Sequence, residues 1–258
     1  MTLEQPLSLL PALEDLARRA GSVILDVYHA DFSVERKRDD SPVTEADRQA
    51  EAVILAGLAS LTPGIPVVAE EEVAAGRIPD VENRPFWLVD PLDGTKEFVK
   101  RNGEFTVNIG LIVGDVPVAG VVLAPALGQM WSAAGPGTAA AVEADGSRRP
   151  IACRRPPATS AVVLTSRSHN EPDALRAWMA PLAEPVLEFS GSSLKFCRVA
   201  EGSADYYPRF GPTNEWDVAA AHAVLLAAGG ELVTFDGAPL GYRKPRFRNP
   251  DYLARARG

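Results

Sequence analysis

The hydrophobic pattern at the start of the chain predicts two helices. Apolar residues recur at helical spacing over about residues 7–29, at Leu9, Leu13, Leu16, Ala20, Ile24 and Val27, which is typical of an amphipathic helix. A second helix is predicted over 45–61, with Thr44 as its N-cap residue. The polar stretch 35–47 joins the two helices and ends in Asp47, an acid in the first turn of the second helix.

The pattern then changes to short apolar runs that are typical of β-strands. Five strands are predicted, at IPVVAE (65–70), FWLVD (86–90), TVNIGLIV (106–113), VPVAGVVLAP (116–125) and QMWSAA (129–134). The Gly114–Asp115 pair between the third and fourth strands predicts a tight hairpin. The Arg- and Pro-rich stretch 147–160 is expected to connect two halves of the molecule.

Beyond this connector, strands and helices alternate. Strands are predicted at AVVLTSRS, PVLEFS, ADYYPRF and ELVTFD, the last of these being the final strand. Helices are predicted at DALRAWMAPL, SLKFCRVAEG and WDVAAAHAVLLAAGG, the third closed by Gly229 and Gly230. The whole chain therefore favours layered α/β packing, with an N-terminal half over 1–150 and a C-terminal half over 151–258.

Composition and charge narrow the functional classes. Lys and Arg number 26 against 34 Asp and Glu, so the net charge is -8, which argues against binding of nucleic-acid polymers. No apolar run approaches the length of a membrane span, and the N-terminus lacks the pattern of a signal peptide. The only cysteines, Cys153 and Cys197, fit a cytoplasmic protein with inert thiols. Peripheral association with the inner membrane and the oligomeric state, monomer or homodimer, stay open.

Acidic residues collect at the ends of two predicted strands. Glu70 follows one apolar run and Asp90 follows another, with Asp93 three residues later. If these strands are neighbours in one sheet, the acids meet at its edge, where their mutual repulsion favours a bound cation. Carboxylate oxygens of this kind suit Mg²⁺. The alternative is a solvated acidic rim with an Asp–Gly turn, and the acids alone do not decide between them.

The residues after Asp93 indicate a phosphate site. Gly94 permits close approach of the backbone, and Gly94–Thr95 is expected to open a short helix whose free N–H groups bind phosphate. A plain turn capped by Thr95 is the alternative. Farther along, Asp217 stands where a carboxylate suits the positive end of a helix dipole, and capping alone would explain it. Asp47, taken alone, is an ordinary early-helix acid.

Several segments in order resemble one known family. DPLDGTKEF and WDVAAAHAVLLAAG are similar to the paired signatures of the inositol monophosphatase superfamily, Mg²⁺-dependent and lithium-sensitive phosphatases. DDSPVTEAD, AEEE, LVDPLDGTKEFVKRNGEFTVNIGLI, GSSLKFCRVAEG and YYPRFGPTNEWD resemble its CysQ branch of 3'(2'),5'-bisphosphate nucleotidases. The resemblance covers roughly residues 8–250. It implies a sugar-phosphatase fold of alternating helix and sheet layers (αβαβα), with the active site between two α/β halves.

The resemblance also implies roles for individual residues. Two or three Mg²⁺ ions would be held by Glu70, Asp90, the Leu92 carbonyl, Asp93 and Asp217. Thr95, Glu71 and Asp47 would be catalytic, placed near the attacking water. Substrate would contact Glu70, Leu92, Asp93, Gly94, Thr95, Ser192, Lys195, Arg209, Asp217 and His169. From its own sequence context Lys195 could equally be a solvated residue on a helix face, and the role of His169 is undecided.

The expected reaction is hydrolysis of a phosphate monoester by a water that the metal activates. The implied substrate is a small nucleotide, adenosine 3',5'-bisphosphate, which would lose its 3'-phosphate to leave AMP. 3'-Phosphoadenosine 5'-phosphosulfate is the expected second substrate, and lithium is the expected inhibitor. The alternative within the superfamily is an inositol phosphate or another sugar phosphate. A catalytically silent phosphate-binding regulator is the alternative from a different class.

Overall fold

The computed structural model describes residues 4–30, 32–36, 42–167 and 171–257, within which helices and strands alternate. Its helices are α1 (Glu4–His29), α2 (Glu45–Leu61), α3 (Glu70–Ala74), α4 (Thr95–Val99), α5 (Pro172–Met179), α6 (Leu194–Ala200) and α7 (Ala219–Ala227). Two one-turn 3₁₀ segments lie at Pro125–Leu127 and Pro245–Phe247. None of the helices within the described ranges has the length and apolar character needed to cross a bilayer.

The first half builds a seven-stranded sheet with the strands in chain order. Its strands are β3 (Val67–Ala69), β4 (Phe86–Asp93), β5 (Thr106–Val113), β6 (Val116–Ala124), β7 (Gln129–Ala134), β8 (Ala140–Val142) and β9 (Arg148–Pro150). Only the β3–β4 pair of this sheet is parallel; the others are antiparallel neighbours, with short connections except between β4 and β5, where residues 94–105 include α4. A separate small ribbon pairs β1 (Val34–Arg36) with β2 (Pro42–Thr44).

The second half builds a five-stranded mixed sheet in a non-sequential order. Its strands are β10 (Val162–Thr165), β11 (Val186–Phe189), β12 (Tyr206–Arg209), β14 (Gly230–Thr234) and β16 (Tyr252–Ala256), arranged β11-β10-β12-β16-β14. A two-stranded ribbon, β13 (Thr213–Asn214) with β15 (Arg248–Asn249), lies beside it. The C-terminal strand β16 is therefore an inner strand, between β12 and β14.

Two hydrophobic cores show that the elements stack in five layers. Helices α1 and α2 share one core with one face of the large sheet. Helices α6 and α7 share a second core with the opposite face of that sheet and with the small sheet. On β12 the side chains alternate: Tyr207 contacts Phe196 of α6, whereas Tyr206 contacts Trp178 of α5 on the other side. The order is thus helix, sheet, helix, sheet, helix, which confirms the predicted αβαβα layering.

Close packing at two glycines sets the position of α7. A Cβ atom at Gly120 would lie 2.2 Å from the carbonyl oxygen of Ala220, and one at Gly110 would lie 2.8 Å from the Ala220 nitrogen. A larger residue at either position would push the helix away from the sheet. Because Asp217 lies just before α7, this contact also fixes how closely Asp217 approaches the first half.

Most predicted elements are confirmed, but Gly230 begins β14 instead of closing the preceding helix, and three further details are wrong. Helix α2 has the predicted bounds and the predicted N-cap, since Ala46 N–H donates to Thr44 Oγ1 at 3.2 Å. Segment ELVTFD is not the final strand, because β16 follows it and pairs with it. Asp217 does not open α7, which begins two residues later. The stretch 147–160 is not only a connector, because β9 adds an edge strand to the large sheet. The division into halves at 150/151 stays a prediction.

Candidate active site

Parallel pairing of β3 with β4 brings two acids side by side. The register pairs Val67 with Trp87 and Ala69 with Val89, so Glu70, which begins α3, follows beside Asp90, which stays in β4 and pairs with Asn108 of β5. The two strands are neighbours, as supposed from the sequence, but β4 continues to Asp93 and does not end at Asp90. Asp90 is only 2% exposed, whereas Glu70 is half-buried at the first position of α3.

The backbone turns sharply where β4 ends. The β4–β5 register shifts between Asp90 and Asp93, which is a bulge that re-aims the chain after Pro91. Asp90 Oδ1 accepts the Leu92 N–H at 3.0 Å, and this bond fixes the tight turn. Leu92 itself is buried, and its carbonyl oxygen accepts the Thr95 hydroxyl at 3.3 Å. The bulge thus gathers two carboxylates and one carbonyl within four residues.

Gly94 and Thr95 form the next part of the site. Gly94 has φ +91°, a left-handed conformation that favours glycine, and it precedes the short helix α4 as predicted. Thr95 Oγ1 lies 3.3 Å from Asp47 Oδ1, which joins the first helical acid to this turn. The other oxygen of Asp47 accepts both the N–H and the hydroxyl of Thr44, at 2.7 and 2.8 Å. Asp47 is therefore held rigidly behind Thr95.

Electrostatics link these acids to Asp217 of the second half. Burial raises the pKa of Asp217 well above its ordinary value, and the negative charges of Asp93 and Glu70 raise it further. The Asn214 N–H, which donates to Asp217 Oδ2 at 2.8 Å, has the opposite effect. Burial likewise raises the pKa of Asp93, and the nearby charges of Glu97 and Glu70 add to this rise. The acids are close enough to repel one another across the boundary of the two halves.

This donor set fits magnesium. Four carboxylates and a carbonyl are hard oxygen donors, and their mutual repulsion is what a divalent cation would relieve. As they stand, no three acidic, histidine or cysteine side chains in the described part of the chain are drawn together closely enough to hold a metal ion by themselves. Mg²⁺ is commonly held by one or two carboxylates together with water and substrate phosphate. An open group of acids facing a cleft satisfies this requirement.

Cations also line this cleft. Lys195 of α6 is buried, and its Nζ donates to the carbonyl oxygens of Ser190 and Ser192 at 3.2 and 2.6 Å. Burial lowers the pKa of Lys195 to about 8, although Asp93 opposes this change. Arg209 of β12 is 8% exposed and donates to the Pro212 carbonyl oxygen at 3.2 Å. Both basic side chains are thus fixed in place by the backbone.

These acids and cations line one cleft of about 880 Å³. We call Glu70, Asp90 and Asp93 the acidic wall, and Lys195, Arg209 and Arg248 the basic wall. The predicted residues that line the cleft are Glu70, Asp90, Leu92, Asp93, Gly94, Thr95, Ser192, Lys195, Arg209 and Asp217. Asp47 and Glu71 are not in its lining: Asp47 lies behind Thr95, and the Glu71 N–H donates to the buried Glu51 at 2.9 Å. His169 lies outside the described residues.

The sequence reasoning missed several polar residues at this site. Thr106 and Asn108 lie on one face of β5 behind Asp93, and their alternation within the apolar run TVNIGLIV was the available signal. Glu51 stands four residues after Asp47, on the same face of α2. Arg248 also lines the cleft. It belongs to the short ribbon strand β15, whose partner β13 is far away in sequence, and no local pattern marked it.

Comparison with known proteins places the chain in a family. The model of the inositol monophosphatase family matches residues 6–256. The chain is 51% identical over 242 residues to a Salmonella typhimurium protein named 3'(2'),5'-bisphosphate nucleotidase CysQ, covering 92% of this chain and 95% of that protein. The protein of the same name from Escherichia coli K12 is 49% identical with the same coverage.

Solved structures agree with this assignment. The crystal structure of CysQ from Bacteroides thetaiotaomicron, a bacterial member of the inositol monophosphatase family, superposes with a TM-score of 0.80 at 37% identity. It covers 96% of this chain and 97% of that one. A Thermotoga maritima IMPase superposes with a TM-score of 0.79 at 23% identity, covering 96% and 92%, and shows the shared fold.

Proposed function

The chain belongs to the inositol monophosphatase family, and from this premise we propose that it is a Mg²⁺-dependent 3'(2'),5'-bisphosphate nucleotidase. It removes the 3'-phosphate of adenosine 3',5'-bisphosphate and leaves AMP. The observation that carries this proposal is that one cleft is lined both by a group of carboxylates and by a group of cations, Lys195, Arg209 and Arg248. A substrate with a reacting phosphate and a second phosphate elsewhere needs both. The names of the relatives at 49–51% identity support the same activity.

The acidic wall, together with Asp217 and the Leu92 carbonyl, is the proposed metal site. Glu70, Asp90, Asp93, Asp217 and the Leu92 carbonyl would hold two or three Mg²⁺ ions, since two divalent charges balance four ionised carboxylates. Bound Mg²⁺ would acidify the attacking water and neutralise charge on the transferring phosphoryl group and the leaving oxygen.

Thr95 and Asp47 orient the attacking water. The single proton of Thr95 Oγ1 faces two acceptors, Asp47 Oδ1 and the Leu92 carbonyl, each at 3.3 Å. With its proton engaged there, the Thr95 oxygen presents lone pairs to the cleft and accepts a hydrogen bond from the incoming water. Asp47 is the group that fixes this direction, because it is itself held by Thr44. Glu71, whose N–H donates to Glu51, is the third residue proposed to act near the attacking water.

The basic wall holds the phosphate that does not react. Arg209 and Lys195 form its floor, and a guanidinium binds two phosphate oxygens at once where geometry allows. Arg248 is exposed at the mouth of the cleft and makes no side-chain hydrogen bond or ion pair with the described residues, so its charge is available to a ligand. Ser192 links the two walls, because its Oγ donates to Asp93 and its carbonyl oxygen accepts a hydrogen bond from Lys195.

No covalent intermediate on cysteine is part of this mechanism. Burial raises the pKa of Cys153 to about 11 and raises that of Cys197 well above its ordinary range, so both remain neutral thiols. Cys153 and Cys197 are also absent from the lining of the cleft. Direct attack by water is therefore the proposed route.

A comparison of three substrates tests this function. Phosphate release is measured from adenosine 3',5'-bisphosphate, inositol 1-phosphate and fructose 1,6-bisphosphate, each with Mg²⁺ and with a chelator. We expect the highest kcat/KM for the nucleotide and no turnover without Mg²⁺. A clear preference for inositol 1-phosphate would overturn the nucleotidase assignment, and phosphate release that persists in chelator would overturn the metal mechanism.

A further inference from the structure

A chain of polar side chains connects the interior of the large sheet to Asp93. Asn108 Nδ2 donates to Thr106 Oγ1 at 3.1 Å, Thr106 Oγ1 lies 2.5 Å from Ser192 Oγ, and Ser192 Oγ donates to Asp93 Oδ2 at 2.6 Å. Ser193 closes a side branch: its Oγ donates to Asn108 Oδ1 at 2.7 Å and lies 2.8 Å from Thr106 Oγ1. We call these residues the Asp93 relay.

The number of protons fixes the direction of the relay. The Ser192 proton goes to Asp93, so Ser192 Oγ is left to accept the Thr106 proton. Asn108 Nδ2 donates to Thr106, and the single Ser193 proton is shared between Asn108 Oδ1 and Thr106 Oγ1, which both lie within hydrogen-bond distance of Ser193 Oγ. Every donor from Asn108 onward thus points towards Asp93, and such aligned bonds strengthen one another. The relay ends on a carboxylate, the strongest acceptor in the series.

The relay is rigid because it is buried and spans both halves. Thr106, Asn108 and Ser193 are each at most 1% exposed, so losing one partner would leave a buried polar group unpaired. Thr106 is the direct neighbour of Asp93 in the β4–β5 register, and Asn108 is the neighbour of Asp90. Ser192 and Ser193 come from the second half. The same bonds therefore join the two sides of the cleft and set the position of Asp93.

Ser192 occupies a strained backbone conformation that the surrounding contacts maintain. Its φ of +55° lies in the left-handed region, which is strained for a residue other than glycine. A Cβ at the preceding Gly191 would lie 2.6 Å from the Glu104 carbonyl oxygen, and the Gly191 N–H donates to Glu104 Oε2 at 2.8 Å. Lys195 holds the Ser192 carbonyl from the other side. Strain kept in this way is typical of functional sites.

We propose that Thr106 and Asn108 are positioning residues that act through Ser192 to orient Asp93 for metal binding. The relay occupies Asp93 Oδ2 and leaves Oδ1, which accepts no hydrogen bond from the described residues, directed to the ligand. This inference rests on the proposed function only in taking Asp93 as a metal ligand. Residues that orient metal ligands in this way typically contribute 10–100-fold to metal affinity or activity.

The test measures metal affinity without substrate. Binding of Mg²⁺ is followed by calorimetry, and Mn²⁺ binding by electron paramagnetic resonance, in Thr106→Val and Thr106→Ser. Valine keeps the shape and loses the hydroxyl, whereas serine keeps the hydroxyl. We expect Thr106→Val to weaken metal binding by about 10-fold or more and Thr106→Ser to restore it to near wild type. Equal affinity of Thr106→Val and the wild type would overturn the proposal.

A matched control separates positioning from general destabilisation. Thr62 is a buried threonine remote from the cleft, whose hydroxyl accepts from Trp87 Nε1 at 2.9 Å and donates to the Leu58 carbonyl at 3.1 Å. Thr62→Val loses a comparable buried hydroxyl, so its Tm should fall while its metal affinity stays unchanged. An equal loss of affinity in Thr62→Val would show that the effect is structural and would overturn the proposal.

A double-mutant cycle tests the route through Ser192 and remains available if Thr106→Val does not fold. Ser192→Ala removes the last donor of the relay at a half-buried position, and its metal affinity should fall by itself. If Thr106 and Asn108 act through Ser192, adding Thr106→Ala or Asn108→Ala to Ser192→Ala should change affinity little, whereas additive losses would overturn the relay. If the wild-type protein binds no Mg²⁺, the proposed function is wrong, and this outcome is distinguishable from failure of the relay proposal, in which the wild type binds Mg²⁺ and the variants bind it equally well.

Discussion

The acidic and basic walls of the cleft differ in how the chain builds them and in what they still lack. The acids come from two neighbouring strands and the bulge after them, within 24 consecutive positions, 70–93. The cations come from α6, β12 and β15, which lie far apart in sequence. Burial and the charge of Glu70 raise the pKa of Asp93 and of Asp217, so the acids need a cation from solution, whereas Lys195 and Arg209 already donate to backbone carbonyls.

This difference suggests that the acidic wall acts in the chemical step and that the basic wall acts in substrate binding. Repulsion between buried carboxylates is released only when a cation arrives, so the energy of the acidic wall is coupled to the metal and to the charge that develops during reaction. The basic wall gains less from its ligand, because two of its cations give up existing bonds and the third is exposed to solvent. Changes on the acidic side should therefore lower kcat, and changes on the basic side should raise KM.

The largest expected effect is that of Asp93→Asn. The substitution keeps the shape and the Ser192 contact but removes a ligand charge, so turnover should fall by more than about 100-fold, the upper end for residues that merely support a ligand. The fold should survive, as circular dichroism would show. The exposed Asp173, changed to Asn, is the matched control and should retain full activity. Near-wild-type kcat in Asp93→Asn at ordinary Mg²⁺ would remove Asp93 from the ligands.

Lithium should inhibit through the same wall. A small monovalent cation fits oxygen ligands suited to Mg²⁺ but carries half the charge, so it polarises water poorly and balances the phosphoryl charge incompletely. We expect Li⁺ to inhibit where equal Na⁺ or K⁺ does not, with inhibition that persists at saturating substrate. General screening acts alike for all three ions, through a Debye length of about 10 Å at 0.1 M. Equal depression by the three chlorides at matched ionic strength would contradict an exchangeable metal at Glu70, Asp90, Asp93 and Asp217.

The two walls also differ in how far the sequence predicted them. Glu70 and Asp90 each follow an apolar run, and assuming that the two strands are neighbours is enough to put the acids together. The local sequence pattern was therefore sufficient to predict this part of the site. The basic wall depends on pairings that no local pattern contains. The C-terminal strand β16 inserts between β12 and β14, and β15 pairs with β13, which carries Arg248 to the cleft from 31 positions after Asp217. Thr106 and Asn108 alternate with apolar residues along β5, which is a local signal. Their partner Ser192, however, lies 86 residues from Thr106, and no local pattern connects the two.

On the basic wall, Arg209→Lys should give a moderate and substrate-specific effect. Lysine keeps the charge but cannot bind two phosphate oxygens in the planar manner of a guanidinium. Loss of one hydrogen bond to a charged group costs about 1.5–3 kcal/mol, so KM for adenosine 3',5'-bisphosphate should rise by about 10-fold or more with kcat nearly unchanged.

The control for Arg209→Lys is a substrate that lacks the second phosphate. Adenosine 3'-monophosphate offers only the reacting group, so its KM should be the same in the variant and the wild type. A parallel rise of KM for both nucleotides would mean that Arg209 contacts the reacting phosphate or the nucleoside. This result would contradict the assignment of the basic wall to the phosphate that does not react.

The smallest expected effect belongs to Arg248→Gln. The guanidinium is exposed and unpaired within the described part of the chain, so it contributes an attraction that solvent screens, on the order of 0.2–1 kcal/mol for such a charge pair. KM for the bisphosphate should rise by about 2–5-fold at low ionic strength, and the difference from wild type should vanish near 1 M salt, where the Debye length is about 3 Å.

Arg149→Gln, on β9 at the edge of the large sheet, is the control for Arg248→Gln. It removes a charge that is also exposed but lies outside the cleft lining, so it should leave KM unchanged at every salt concentration. A KM increase in Arg248→Gln that persists at high salt would indicate a buried, directional contact, and an identical increase in Arg149→Gln would indicate that only the net charge of the protein matters.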